Sequence, residues 1–228
     1  MPVEPVRIGI VDSGFTASQQ VVKGAAFTLR DDRLWLEDSQ PDQLGHGSRI
    51  IEIMEALSPE CEIISAQVFQ DRFTTTAAQV GAAIDWLVDQ HVQVINLSLG
   101  LRQDRSSLRD ACQRAIKRGV ILCAASPARG EPVFPASYPG VFRMTGDARC
   151  ARDEISHLNT RFADFGACVK PMSMVVGLSG ASLGCAHLTA HLANFLQMTD
   201  SANPDNARTW LHERARYHGP EQKRFAND

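Results

Sequence analysis

No stretch of the 228 residues approaches the roughly 20 consecutive apolar positions that a membrane-spanning helix requires; hydrophobic runs such as residues 92–99 and 120–125 have the length of strands. Charge of one sign is also missing. Lys and Arg total 23 against 26 Asp and Glu, for a formal net charge of -3, and like charges never run beyond a few residues. That balance gives no global attraction to nucleic acid or to an anionic membrane, and neither partner is expected. The six cysteines (Cys61, Cys112, Cys123, Cys150, Cys168, Cys185) include no C-x-x-C pair, which argues against both a zinc site and a disulfide framework and for buried reduced thiols. The start, "MPVEPVRIGIVDSG", lacks a basic segment followed by a long apolar one, and a strand-like run begins at Val6. A signal peptide is therefore not expected, and the expected location is cytoplasmic. Internal repeats, low-complexity segments and linkers are absent, so one domain over residues 1–228 is expected.

What is present is an alternation of strand and helix patterns. "VRIGIVD" (6–12), "CEIISAQVF" (61–69), "VQVINLSLG" (92–100) and "GVILCAAS" (119–126) are short apolar, β-branched runs of the kind buried on both faces of a parallel sheet. Helical patterns lie between them at 47–57, 76–90 and 106–118, the last closed by Gly119. Asp200 to Pro204 reads as a loop before a final helix, with Pro204 at its first position. This order predicts an α/β fold with a mostly parallel central sheet and helices on both faces, joined by right-handed crossovers. Ligands then bind beyond the carboxyl ends of the strands, where Asp12 and residues 98–100 fall.

Three patches follow one another along the chain: "VDSG" (11–14), "GHGS" (45–48) and "SGAS" (179–182). Each has an ordinary reading. An aspartate after a strand forms turns, a histidine opens many helices, and Gly-Ala-Ser can be no more than a tightly packed helix start. Ser179 competes with Ser182, but only Ser182 has glycine two positions before it and a helical pattern directly after it. A helix start there would offer free backbone N–H groups and positive dipole to an oxyanion. His187, five residues further into an apolar helix, reads as a core histidine.

Asp, His and Ser in this order resemble the subtilisin-like serine proteases, the subtilases. "GASLGCAH" (180–187) follows the spacing of that family's serine motif. "VINLSLG" (94–100) is similar to its substrate-binding strand, "FPASYPGV" (134–141) to its Y-P-A-x-Y-P-x-V segment, and "NPDNARTWLHERA" (203–215) to its closing helix. The resemblance runs nearly the whole chain and implies a three-layer subtilisin-like peptidase fold. It also implies a serine endopeptidase with Ser182 as nucleophile, His46 as general base and Asp12 as the group that orients the imidazole. Substrate would bind as a peptide or protein strand along Ser98, Leu99, Gly100 and Leu101. Leu101 stands where many relatives keep a small residue, and implies a bulkier groove wall.

The departures matter as much. Where most subtilases read A-A-G-N, with the asparagine donating to the oxyanion, this chain has Ala124-Ala125-Ser126-Pro127. Proline cannot donate, which leaves the oxyanion region as the Ser182 N–H with Ser126 as the nearest substitute. Ile51, Glu52 and Ala186 also replace family residues. Too few residues separate the histidine helix from the next strand for the calcium loop often inserted there, and no EF-hand pattern occurs elsewhere. Neither a metal nor another cofactor is expected. Only 11 residues precede Asp12, so no pro-domain is expected. An unrestrained protease in the cytoplasm would be harmful, which suggests a restricted substrate such as a leader or pro-peptide. A pseudo-protease that keeps the groove and binds peptides without hydrolysis is the alternative, motivated by Pro127.

Overall fold

Isoleucines at alternate positions set up the first strand, β1 (Arg7–Asp12), in which Ile8 and Ile10 point to one face of a sheet and Val11 to the other. The computed structural model describes residues 4–173, 180–199 and 203–222. β1 lies between β4 (Glu62–Gln67) and β5 (Val94–Leu97), both parallel to it, and β6 (Ile121–Ala125) pairs in parallel beyond β5. These are the four apolar runs visible in the sequence, trimmed by up to three residues at an end, with β1 ending at Asp12 as the run does. Every residue of β5 and β6 is buried, as a sheet covered on both faces demands.

The described sheet has ten strands in the order β10-β8-β9-β7-β6-β5-β1-β4-β2-β3. Its outer members are β2 (Val21–Arg30), β3 (Arg33–Glu37), β7 (Phe142–Gly146), β8 (Ile155–His157), β9 (Phe165–Ala167) and β10 (Ala215–His218). All pairs are parallel except β2–β3 and β8–β9. Helices α1 (His46–Leu57), α4 (Gly180–Gln197) and α5 (Pro204–Glu213) contribute to the core on one face of the sheet. Helices α2 (Ala77–Asp89) and α3 (Ser106–Lys117) cover the other. The expected three-layer α/β architecture is the observed one. Among the described residues, no helix is long and apolar enough to cross a membrane.

Helix ends follow local chemistry. Thr76 and Gln79 form a reciprocal capping box at the start of α2. Asn203 caps α5 through its side chain, and Pro204 takes the first helical position. α4 is the helix enclosed by protein. Twelve of its residues from Ser182 to Phe195 are buried, and its glycines permit backbone contact with β7. A Cβ on Gly184 would lie 2.0 Å from the Thr145 carbonyl oxygen, and one on Gly146 would lie 2.3 Å from that of Gly180. The small residues of "GASLGCA" therefore let α4 press onto the sheet, and they place Ser182 in its first turn. Of that serine-rich stretch, residues 177–179, Ser179 among them, lie outside the described residues, as do residues 200–202 of the loop expected before α5.

Candidate active site

Strand alternation delivers the first component. Asp12 ends β1 on the same face as Ile8 and Ile10, the face covered by α1 and α4. It is fully buried. One of its carboxylate oxygens accepts from the Ser13 N–H at 2.7 Å, and both reach His46 Nδ1, at 2.8 and 2.9 Å. His46 is the first residue of α1, and its approach depends on its glycine neighbours. A Cβ on Gly47 would sit 2.4 Å from the Gly14 carbonyl oxygen, so only glycine lets the helix start abut the turn after β1. Gly45 has φ 71°, in the left-handed region where glycine is at ease.

A residue missed in the sequence completes this helix start. Gly45 cannot cap α1 with a side chain, and Asp42 does so instead: its carboxylate accepts from the N–H groups of Leu44, Gly45 and Ser48 and from the Ser48 hydroxyl. Ser13 Oγ accepts from the Gly47 N–H at 2.8 Å. The signal was an aspartate shortly before a helix start, offset by a loop residue more than usual. Burial disfavours the charged form of His46, but the charge of Asp12, its hydrogen bond and the charge of Asp42 outweigh it and raise the imidazole pKa above its ordinary value. For Asp42, hydrogen bonds from Ser48 and Gly45 overcome burial and hold its carboxyl below the usual range.

Alternation along β5 supplies the next wall. Val94 and Asn96 face α4, and Ser98 follows just past the strand end. Asn96 Nδ2 donates to Ser98 Oγ at 3.0 Å, and Ser98 Oγ donates to the Ser182 carbonyl at 3.2 Å. Ser182 Oγ donates to the Ser98 carbonyl at 3.4 Å. Thr189, two turns along α4, reaches Asn96 Oδ1 at 3.1 Å. This buried polar seam fixes α4 against β5 and holds Ser182 beside Ser98; neither Asn96 nor Thr189 stood out in the sequence.

His46, Ser98, Leu99, Gly100 and Leu101 line one cleft of about 350 Å³ with Phe69, Phe73, Thr74 and Thr75. Phe73, 60% exposed, sets its ring edge-to-face on His46 at 5.6 Å between centroids. Leu101 N–H donates to the Phe134 carbonyl and its own carbonyl accepts from the Phe134 N–H, at 2.7 and 2.8 Å. That side of the segment is occupied. Strand alternation turns the polar groups of exposed Gly100 the opposite way.

In the segment expected to face the oxyanion, Ser126 Oγ donates to the Phe162 carbonyl at 2.6 Å, so its proton is directed away from the expected role of substitute donor. His187 is fully buried, as a core histidine should be, and its Nδ1 lies 2.9 Å from the Leu183 carbonyl, but its Nε2 has no hydrogen-bond partner among the described residues. Ile51 is buried, and Glu52 pairs with Arg49 and accepts from Ser173. The six cysteines are unpaired, five of them buried.

A buried aspartate bonded to a half-buried histidine that shares a cleft with Ser98, and a helix-start serine bonded to Ser98, stand in chain order Asp, His, Ser, and a family match covers almost the whole sequence: the subtilase family matches residues 4–226. The chain belongs to the subtilase family. It is similar to the minor extracellular protease Epr of Bacillus subtilis, at 26% identity over 61% of this chain and 23% of that protein. It is also similar to the thermostable alkaline protease of Halalkalibacterium halodurans, at 24% identity over 91% of this chain and 60% of the relative. The chain thus spans less than two thirds of the length of these two relatives. Among solved structures, the protease domain of PatA superposes with a TM-score of 0.68 at 17% identity, covering 91% of this chain and 86% of that domain. At that identity the likeness speaks for the fold, which is the subtilase one.

Proposed function

We propose that this subtilase is a serine endopeptidase. The observation that carries the reading is the His46–Asp12 bond. With Nδ1 held by a buried carboxylate, the imidazole keeps Nε2 as its only basic atom, and His46 faces the cleft beside Ser98, to which Ser182 is bonded. In the reaction His46 takes the proton of the Ser182 hydroxyl as Oγ attacks a peptide carbonyl. Asp12 stabilises the resulting imidazolium, and the same proton passes to the leaving amine. Water then repeats the sequence on the acyl-enzyme. The Ser182 N–H and the α4 start stabilise the oxyanion.

The substrate is a peptide or protein segment that adds as a strand at Gly100, with Leu101 and Phe73 shaping the groove. A restricted substrate, such as a leader or pro-peptide cut during peptide or enzyme-subunit maturation, fits the loss of the oxyanion asparagine at Pro127. Remote contacts then have to supply what that donor supplies elsewhere. In size and make-up the chain resembles the subtilisin-like protease of quinohemoprotein amine dehydrogenase biogenesis. Its unpaired cysteines suit the reducing cytoplasm.

A fluorophosphonate probe tests the reading directly. Labelling of the wild type but not of Ser182→Ala is expected, together with a fall in peptide turnover of about 10⁶-fold in that variant. Peptide binding without labelling would identify a non-hydrolytic groove binder instead.

A further inference from the structure

At the edge of the sheet farthest from the β2–β3 hairpin, three imidazoles distant in sequence converge. His157 ends β8, His218 ends β10 and His212 lies in the last turn of α5. One ring nitrogen from each lies within 4.8 Å of the other two. The ring centroids are 4.6, 5.7 and 6.0 Å apart, and the rings stand at 67–80° to one another instead of stacking. We propose that His157, His212 and His218 form a binding site for a divalent late-transition-metal ion, zinc foremost, that ties β10 and α5 to β8.

The arrangement depends on specific backbone features. β10 pairs with β8 in parallel, Ala215 opposite Ile155, but the register shifts between Ala215 and Tyr217, so that one extra residue puts His218 opposite His157. Without that bulge Tyr217 would face His157. The ladder continues with the Gly219 N–H donating to the His157 carbonyl at 2.9 Å, and Arg149 Nη2 donates to the Gly219 carbonyl at 2.8 Å. Both strand-borne ligands are therefore fixed at the backbone. Phe165 packs on the His157 ring at 5.3 Å between centroids.

The donor chemistry suits the ion. Neutral imidazole is a borderline ligand preferred by zinc, nickel and copper over calcium or magnesium, and three histidines leave a fourth position for water. Tetrahedral bonds of about 2.0–2.1 Å put the nitrogens about 3.4 Å apart. His212 and His218 are exposed and can close the remaining gap by side-chain rotation. From the sequence no metal is expected, because the cysteines form no C-x-x-C pair and neither a calcium-loop insertion nor an EF-hand pattern occurs; the histidines at 157, 212 and 218 are brought together only by the fold. The site is independent of the peptidase reading.

The test is titration of the 228-residue chain with zinc by calorimetry and with cobalt by visible absorption. Wild type should bind one equivalent of either, with the intense d–d bands of tetrahedral cobalt. Zinc should slow hydrogen exchange of the β10 amides. His212→Ala and His218→Ala, both at exposed positions, should each weaken binding by more than the roughly 10–100-fold that loss of a supporting second-layer residue costs. His46→Ala should bind as wild type does. No saturable binding, binding that survives both surface substitutions, or binding lost only in His46→Ala would overturn the proposal.

Discussion

Asp12 and His46, 34 positions apart in sequence, meet through a two-pronged contact in which both carboxylate oxygens lie within 2.9 Å of one imidazole nitrogen. The carboxylate is fully buried, and its charge raises the pKa of the histidine against the opposing effect of burial. Only the neutral imidazole can act as base. The acid limb of kcat/KM should therefore lie above the ordinary histidine value of about 6.5. In Asp12→Asn the limb should move to lower pH while turnover falls by about 10⁴-fold, the scale for a triad left with the wrong tautomer. A pH–rate profile of both proteins measures this, and a limb that stays in place would show that Asp12 does not set the basicity of His46.

Gly47 is the contact through which α1 brings His46 to Asp12. Alanine there would place a methyl 2.4 Å from the Gly14 carbonyl oxygen, a backbone atom with no room to yield. Gly47→Ala should displace the helix start, cost about 1–3 kcal/mol of stability and lower kcat more than it raises KM. At Gly45 nothing lies within 4 Å of an added Cβ, and only the left-handed backbone resists. Gly45→Ala should thus be the milder change in kcat. Urea denaturation and steady-state kinetics on the two variants separate crowding from strain.

The central strands were legible in the sequence because burial on both faces makes them continuous apolar runs, and β1, β4, β5 and β6 all appear within a few residues of where those runs fall. α1 to α3 were legible from period and end signals. The hairpin of β2 and β3 was not: it exposes Val22, Leu29, Leu34, Trp35 and Leu36, and so mixes apolar and polar residues without a clean buried face. β8 and β9, three residues each, are too short for any periodicity to register. At the site, Asp12, His46 and Ser182 stood out through ordered motifs. Asp42, Asn96 and Thr189 act by capping and by a buried polar seam, relationships that exist only once strands and helices are packed. Phe73 lies in a loop whose nearness to His46 no local pattern encodes.

Protonation of a second histidine should limit stability in acid. His191 lies on α4 with Nε2 3.1 Å from the Arg152 carbonyl, and burial, reinforced by His187, lowers its pKa to about 4. A histidine whose folded pKa lies below its unfolded value costs stability as pH falls, because the unfolded chain takes up a proton that the fold refuses. The loss begins near pH 6.5 and grows until about pH 4. His46 opposes it, since its raised pKa contributes stability below the unfolded value that is lost as pH rises through the folded one. His191→Gln should flatten the fall in denaturation free energy between pH 6.5 and 4 relative to wild type. An unchanged slope would place the acid sensitivity elsewhere.

Rate on short peptides should be limited at the oxyanion. On the proposed function, Pro127 takes the position where the family resemblance implies a donor, and in subtilisin itself loss of that donor costs about 10²–10³-fold in turnover. Ser126 is the nearest hydroxyl, but its proton is given to the Phe162 carbonyl at 2.6 Å, and recruiting it for the reaction would leave that carbonyl unpaired. Ser126→Ala should therefore change kcat little and act mainly on stability, by about 1 kcal/mol. Pro127→Asn restores a side-chain donor and should raise kcat on a short chromogenic peptide by up to about 10²-fold, bounded by the subtilisin loss. On a long natural substrate the gain should be smaller, because extended contacts along the groove already position the scissile carbonyl. Steady-state kinetics on both substrates, in wild type and both variants, supply the comparison. A fast wild type on the short peptide would mean that another group already fills the hole. A large kcat loss in Ser126→Ala would identify that hydroxyl as the donor, despite its bond to Phe162.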